Sequence, residues 1–267
     1  MPPSPRGLPA IPVLHRGAGW AAVDKPPGLP IVAERQKPGQ TPLLDAIAAA
    51  LGAGALLVVH RLDRDTTGVL LVATEPDAHR DLSIQFQRRL VRKEYLALVR
   101  GDVLAAEGKV DASLERDPSR PGHMRVARPG RPGKRALTRY EVVERFRGYS
   151  LLRVRPRTGR MHQIRVHLAH EGFPLAVDPD YGGGEALLLS TLKRGYKPPR
   201  DRPEAPLLGR LALHAAALAL RDPGTGETVR IEAPLPDDLE RALRALRKYA
   251  RGKPIRRDPE PPATPSA

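Results

Sequence analysis

The sequence predicts an α+β fold built on one large, mixed, mostly antiparallel sheet flanked by helices and loops. Three observations predict it. Short strand-like apolar runs dominate the middle of the chain, turn signals separate them, and helical patterns are interleaved without a regular strand–helix alternation. In chain order, residues 11–14 and 20–23 flank Arg16-Gly17-Ala18-Gly19 and read as a hairpin. Thr41 caps a helix that runs to Leu51 and stops at Gly52. Residues 56–59 and 69–73 read as buried strands. Residues 77–90 read as a helix, because Leu82, Phe86 and Leu90 recur every fourth position. Residues 93–99 alternate as a strand, with Tyr95, Ala97 and Val99 on one face. Strands follow at 110–114, 124–127, 137–144 and 149–154, with Pro-Gly pairs at 121–122, 129–130 and 132–133 as turns. Residues 162–170 form a short helix, 183–207 a long Gly/Pro-rich loop, and 213–220 a strand ending in a turn at 222–226. An amphipathic helix over 237–250 closes the fold. Residues 1–10 and 251–267 are proline-rich, poor in apolar side chains, and predicted to be disordered tails around a single domain over 11–250.

Composition narrows the function. A chain of 267 residues buries enough surface to fold without staples. It has no cysteine, which excludes disulfide frameworks, cysteine zinc sites and thiol nucleophiles. No run approaches the ~20 apolar residues of a membrane helix. The N-terminus lacks the apolar core of a secretory signal, so a cytoplasmic protein is expected. Net charge is +15 and the pI is near 10.7, which points to a polyanionic partner, nucleic acid first. Between 116 and 160 there are fourteen basic residues against three acidic ones, Asp117, Glu141 and Glu144. A composition bias toward arginine would not cluster the charge in this way.

Four polar segments sit at the edges of apolar runs. The densest is His60-Arg61-Leu62-Asp63-Arg64-Asp65-Thr66-Thr67-Gly68, between two buried strands. A carboxylate on a loop held by core strands can be a nucleophile, a base or a metal ligand; the same residues also make an ordinary turn. The second is Gly159-Arg160-Met161-His162-Gln163-Ile164-Arg165-Val166-His167, where His162 and Arg165 lie one helical turn apart. His162, His167 and His170 do not converge on one side of a helix, which argues against a metal site. The third, Lys93-Glu94-Tyr95, presents a ring that is either core or a stacking platform. The fourth, Asp24-Lys25-Pro26-Pro27-Gly28-Leu29, is a charged pair before a rigid turn.

Together and in this order, these segments resemble the RluA-type family of RNA pseudouridine synthases. Residues 24–29 resemble the family's D-K-P-x-G-L, 60–68 its H-R-L-D-x-x-T-[ST]-G, 93–95 its K-x-Y, and 159–167 its G-R-x-H-Q-I-R-x-H. Leu213-His214-Ala215 and Ile231-Glu232-Ala233-Pro234-Leu235 also look familial, so the likeness runs from about residue 11 to 242. It implies isomerisation of uridine in rRNA or tRNA: the N1–C1′ bond breaks and a C5–C1′ bond forms, without cofactor or metal. By resemblance Asp63 is the catalytic carboxylate, either adding to C1′ or removing the C2′ proton. Arg165 is expected to pair with it, and Tyr95 to stack under the uracil and assist loss of the C5 proton. Ile164 is expected to floor the pocket, and Arg61 to occupy the site from which the base is extruded. The other motif residues, His60, Leu62, Thr67, Arg160, His162 and Gln163, are expected to bind substrate. Arg128, Arg131, Lys134 and Arg135 in the basic segment are expected to follow the RNA backbone. Ala176-Val177-Asp178 departs from a common Gly-Asp pair, which is read as a loop change only. Many relatives carry an S4 RNA-binding domain ahead of the catalytic part; only 23 residues precede Asp24, so a stand-alone, monomeric catalytic domain is expected. Two rival functions are a catalytically inactive RNA-binding or ribosome-assembly factor and a metal-dependent nuclease using Asp63, Asp65 and the histidines.

Overall fold

Two long hairpins and a pair of apolar central strands organise the molecule. The computed structural model describes residues 10–31, 42–128, 130 and 133–252. The Thr41 cap, Arg131, and most of both tails (residues 1–9 and 253–267) lie outside the described residues. β1 (Val13–Gly17) and β2 (Trp20–Lys25) form the first hairpin. Only Ala18 and Gly19 make its turn, with Gly19 at φ 74°, so the strands are longer than the turn residues suggested. α1 (Pro42–Leu51), β3 (Leu57–Val58), β4 (Thr67–Ala73), α2 (Pro76–Gln87) and β5 (Arg92–Arg100) follow. Next come β6 (Glu107–Asp111), β7 (Leu114–Arg116), β8 (Met124–Val126), β9 (Leu137–Phe146), β10 (Tyr149–Pro156) and α3 (Gln163–His170). A four-residue α4 (Leu189–Leu192), β11 (Leu213–Arg221), β12 (Thr228–Glu232) and α5 (Asp237–Tyr249) complete the chain.

Among the described residues ten strands form one sheet in the order β1-β2-β4-β11-β5-β10-β9-β6, with β12 added to β11 and β3 to β4. Every pair in it is antiparallel except β4 with β11. The α+β expectation with a mostly antiparallel sheet therefore holds. β4 is buried at all seven positions, as its unbroken apolar run requires when both sheet faces are covered. The same cover defeats the alternation expected along β5, where Ala97, Leu98 and Val99 are all buried. The strand expected over 110–114 divides into β6 and β7, because β6 pairs with β9 while β7 leaves the sheet to pair with β8. The 183–207 region is mostly loop, but Leu187, Leu192 and Leu208 anchor it in the core. α5 buries Leu239, Ala242, Leu243 and Leu246, with acids in its first turn and bases in its last, as the helix dipole favours. Arg251, assigned to the tail, still bridges to Phe146. No helix among the described residues is long and apolar enough to cross a membrane.

The parallel contact explains one residue of the polar loop. His214 and Ala215 on β11 register with Thr67 and Gly68 on β4. Gly68 has φ 107°, and a Cβ there would lie 2.2 Å from the Ala215 carbonyl oxygen. Gly68→Ala is therefore expected to cost about 3–5 kcal/mol, through backbone strain and displacement of β11. Urea unfolding checks this; a loss under about 1 kcal/mol would mean the β4–β11 contact yields easily.

Candidate active site

The polar loop enters β4 through a tight turn in which Thr66 N–H donates to the Asp63 carbonyl at 3.1 Å. Lys25, at the end of β2, fixes this turn from behind. Its Nζ donates to the carbonyls of Pro26 at 2.9 Å, Arg64 at 2.6 Å and Thr66 at 3.1 Å. Lys25 is fully buried, and burial pulls its ammonium down to about 8. Gly28 N–H donates to the Arg64 carbonyl, and Arg64 Nε returns a bond to Gly28 O, each at 3.1 Å. The 24–29 segment is thus a clamp for the turn that carries Asp63.

His60 braces the other end of the loop. Its Nε2 accepts from Leu71 N–H at 3.0 Å, and its ring stacks on Phe86 at 4.7 Å. Burial, with Lys93 nearby, pushes it down to about 3. His214, bonded through Nδ1 to the Thr67 hydroxyl at 2.9 Å, is pushed down to about 4 by burial. Both histidines ordinarily titrate near 6.5, so the unfolded chain takes up protons that the fold refuses. Stability is therefore expected to be fully present above pH 6.5 and to fall as pH drops toward 4, and His214→Asn should make that slope shallower. Chemical unfolding at several pH values reads it; an unchanged slope would show that His214 is not held neutral.

α3 faces the loop. His162 precedes it with φ 52°, a left-handed conformation that a non-glycine residue adopts at a cost. Its Nδ1 lies 2.7 Å from the Tyr181 hydroxyl, and its Nε2 4.0 Å from Asp63 Oδ1. Arg165 Nη1 is 3.7 Å from Asp63 Oδ2. The expected pairing is present, but it is not the guanidinium's main attachment. Arg165 donates to Asp178 through Nε at 2.8 Å and Nη2 at 2.7 Å, and to Asp180 through Nη2 at 2.7 Å. Burial alone would lower the Arg165 pKa; Asp178, Asp180 and Asp63 outweigh it and hold it above its ordinary value. Asp178 is completely buried. The 176–178 segment is thus more than a loop change: it supplies the carboxylate that orients Arg165.

These residues bound a cavity of about 470 Å³. Asp63, Tyr95, Arg165, His60, Arg61, Leu62, Ile164, Arg160, His162 and Gln163 all line it, together with Phe86, Val91 and Leu213. Burial, and then the charge of Asp63, raise the Tyr95 phenol, which stays protonated at neutral pH. A second cavity, of about 600 Å³, shares Arg61, Leu62, Asp63, His162 and Arg165 but lacks the Tyr95 and Phe86 rings. Thr67 does not reach the first cavity; Thr66 does, and Thr67 is buried on His214. Gln163 reaches it with its amide fully engaged. Its Oε1 accepts from the Thr158 hydroxyl and Arg160 N–H, and its Nε2 donates to Leu137 O and Thr138 Oγ1. That is a brace for the β10–α3 turn. His167, on Thr138 and the Ala112 carbonyl, is also internal. Among the described residues no group of three or more His, Cys, Asp or Glu is arranged to hold a metal ion.

The basic 116–160 segment divides in two. Arg125 pairs with Glu115 at 2.8 Å, Arg153 with Glu94 at 3.0 Å and Glu141 at 2.6 Å, and Arg155 with Glu141 at 3.0 Å, so their charge is matched within the molecule. Arg128, Lys134 and Arg135 are exposed and outside the cavity lining. Cations that sequence reading left unassigned, Arg89, Lys93 and Arg157, line the cavity itself.

Residues 19–170 match the model of the RNA pseudouridylate synthase family. The chain belongs to this family. Within the pseudouridine synthases it is of the RluA type, as the motif order implied. It is 44% identical over 195 residues to the ribosomal large subunit pseudouridine synthase C of Yersinia pestis, covering 73% of this chain and 57% of that protein. It thus spans little more than half the length of that relative. It is 40% identical over 258 residues to the ribosomal large subunit pseudouridine synthase D of Xanthomonas campestris pv. campestris, covering 92% of this chain and 72% of that one. Among solved structures it resembles human RNA pseudouridylate synthase domain containing 4, with a TM-score of 0.66, 26% identity, and coverage of 88% of this chain and 93% of that one.

Proposed function

We propose that the chain isomerises uridine in large-subunit ribosomal RNA to pseudouridine, with Asp63 as the reacting carboxylate. The observation that carries this is the placement of Asp63 in a cavity walled by Tyr95, Ile164 and Leu213 and rimmed by cations, in a chain of this family. The names of the relatives from Yersinia pestis and Xanthomonas campestris pv. campestris support the choice of RNA. The target uridine leaves its stack, at a cost of a few kcal/mol, and Arg61 takes the vacated place. Asp63 acts at the ribose, bonding to C1′ or taking the C2′ proton, as N1 departs. The uracil turns and C5 bonds to C1′, which breaks the Asp63–C1′ bond or returns the proton to C2′. The C5 proton then leaves to solvent and N1 takes one up. The aromatic cavity suits a neutral ring that detaches and must not diffuse away; the 600 Å³ cavity lacks the Tyr95 and Phe86 rings. A phenol held protonated makes Tyr95 a stacking platform and a poor base for the C5 proton.

The test is tritium release from transcripts carrying 5-tritiated uridine, with large-subunit rRNA, small-subunit rRNA and tRNA assayed separately, with and without chelator and with Asp63→Asn as control. Release from the large-subunit transcript alone is expected. Release only from another pool would overturn the substrate. RNA bound without release from any pool would replace the enzyme by an RNA-binding factor, and cleavage abolished by chelator by a nuclease.

A further inference from the structure

The C-terminus of α2 spends stability on an arginine. α2 ends in a Schellman motif: Leu90 N–H donates to the Gln85 carbonyl at 2.9 Å and Arg89 N–H to the Phe86 carbonyl at 3.1 Å. The residue between these bonds must be left-handed, and glycine is favoured there. Here it is Arg89, at φ 60°. Among the described residues only Arg89 and His162 combine a side chain with positive φ, and both line the same cavity. Backbone strain of this kind persists at functional sites.

The wall beside Arg89 lacks an anion. Lys93 Nζ donates to the Thr158 carbonyl at 2.9 Å. Neither it nor Arg89 has a carboxylate partner among the described residues. Among the described residues the only carboxylate lining the cavity is Asp63, against six cations: Arg61, Arg89, Lys93, Arg157, Arg160 and Arg165. Asp63 is already within reach of Arg165. Burial, and then the nearby Arg89, pull the Lys93 ammonium down to about 8.

We propose that Arg89 and Lys93 form a seat for one backbone phosphate of the RNA strand that carries the target uridine. This rests on the function proposed above and extends it. Once N1–C1′ is broken, contacts to the uracil no longer hold the sugar. The ribose must then be fixed through its phosphates while the base turns, and a pair of cations in the cavity wall does that. Arg89 supplies a planar fork and Lys93 a point charge.

Two variants and one chemical change test the seat. The probe is a large-subunit rRNA fragment bearing a single neutral methylphosphonate, moved one linkage at a time around the target uridine. Binding is measured by filter retention on an Asp63→Asn background, so it needs no turnover. Lys93→Gln is expected to weaken binding about 10- to 100-fold, as loss of a charge-assisted contact does, and to flatten the salt slope by about 0.7–0.9. At one linkage the methylphosphonate should cost binding several-fold more in the Lys93-bearing protein than in Lys93→Gln, where Arg89 alone still meets that phosphate. Arg89→Gly should also lose RNA affinity while raising Tm by about 2–4 °C, because glycine suits the left-handed position. Equal methylphosphonate penalties with and without Lys93 at every linkage would overturn the seat, as would Arg89→Gly binding RNA normally. Conversion by protein with Asp63 intact is scored separately on unmodified RNA: its absence defeats the proposed reaction, while the linkage scan still judges the phosphate seat.

Discussion

Asp63→Asn is expected to abolish isomerisation, with a fall of at least about 10⁴-fold in single-turnover rate, as removal of a reacting carboxylate does elsewhere. The substitution keeps the shape of the side chain and removes only its charge. The fold should tolerate this. Arg165 keeps its bonds to Asp178 and Asp180 at 2.7–2.8 Å, so no buried guanidinium is stranded. Asp63 itself stands 3.7 Å from Arg165 and 4.0 Å from His162, looser than hydrogen-bonding distance, and its side chain is 23% exposed. Its stability change should stay within about 1 kcal/mol. RNA affinity should hold or rise, because one negative charge leaves a cavity that receives a polyanion. Tritium release, Tm and filter binding measure the three quantities on the same preparation. A variant that turns over within tenfold of wild type would remove Asp63 from the reaction, and one that unfolds would make it structural.

What the sequence made legible follows from the range of each signal. The spacing of His162 and Arg165 predicted one helical face; both do look toward Asp63, but His162 reaches it from the left-handed position just before α3, not from the helix. Polar residues between two apolar runs marked the loop into β4 correctly. The positions that escaped depend on contacts between distant segments. Lys25 reads as a charged loop residue, yet it is buried because three carbonyls from both sides of its turn converge on it. Asp178 follows an apolar pair and precedes proline, as many exposed turns do; only the approach of α3 makes it a buried partner. Thr66 and Thr67 differ by one position, and a one-residue step at the start of a strand exchanges the cavity side for the core side. The end of α2 escaped for a different reason. The residue that signals a left-handed helix end is glycine, and Arg89 stands in its place. The 116–160 charge cluster was visible, but pairing across β5, β9 and β10 takes Arg153 and Arg155 out of it, and sheet register is not written locally.

Asp178→Asn carries the second large effect, and it falls on stability and activity together. Asp178 is fully buried and binds Arg165 through two bonds. Removing one partner of a buried ion pair costs about 3–5 kcal/mol, because the remaining charge stays desolvated. Asp180 still bonds Arg165 at 2.7 Å, which places the expected loss at the lower end, about 3 kcal/mol. Asp180→Asn is the internal comparison. Its side chain is 44% exposed, water replaces much of what is lost, and the expected change is under about 1 kcal/mol. The two variants remove the same charge from the same arginine, so a difference between them isolates the effect of burial. The activity follows the geometry. With Asp178 neutral, Arg165 is drawn toward Asp180 and Asp63, and the carboxylate loses the fixed orientation that a doubly bonded guanidinium gives it. A fall of about 10- to 100-fold in the single-turnover rate is expected, since small misplacements of a reacting group cost this much. KM should change little, because Asp178 borders only the second cavity, away from the proposed RNA seat. Urea midpoints for the two variants decide the structural part. Equal midpoints would show that Arg165 is held by charge alone, regardless of which carboxylate supplies it. A normal rate in a stable Asp178→Asn protein would mean that the orientation of Arg165 does not reach Asp63.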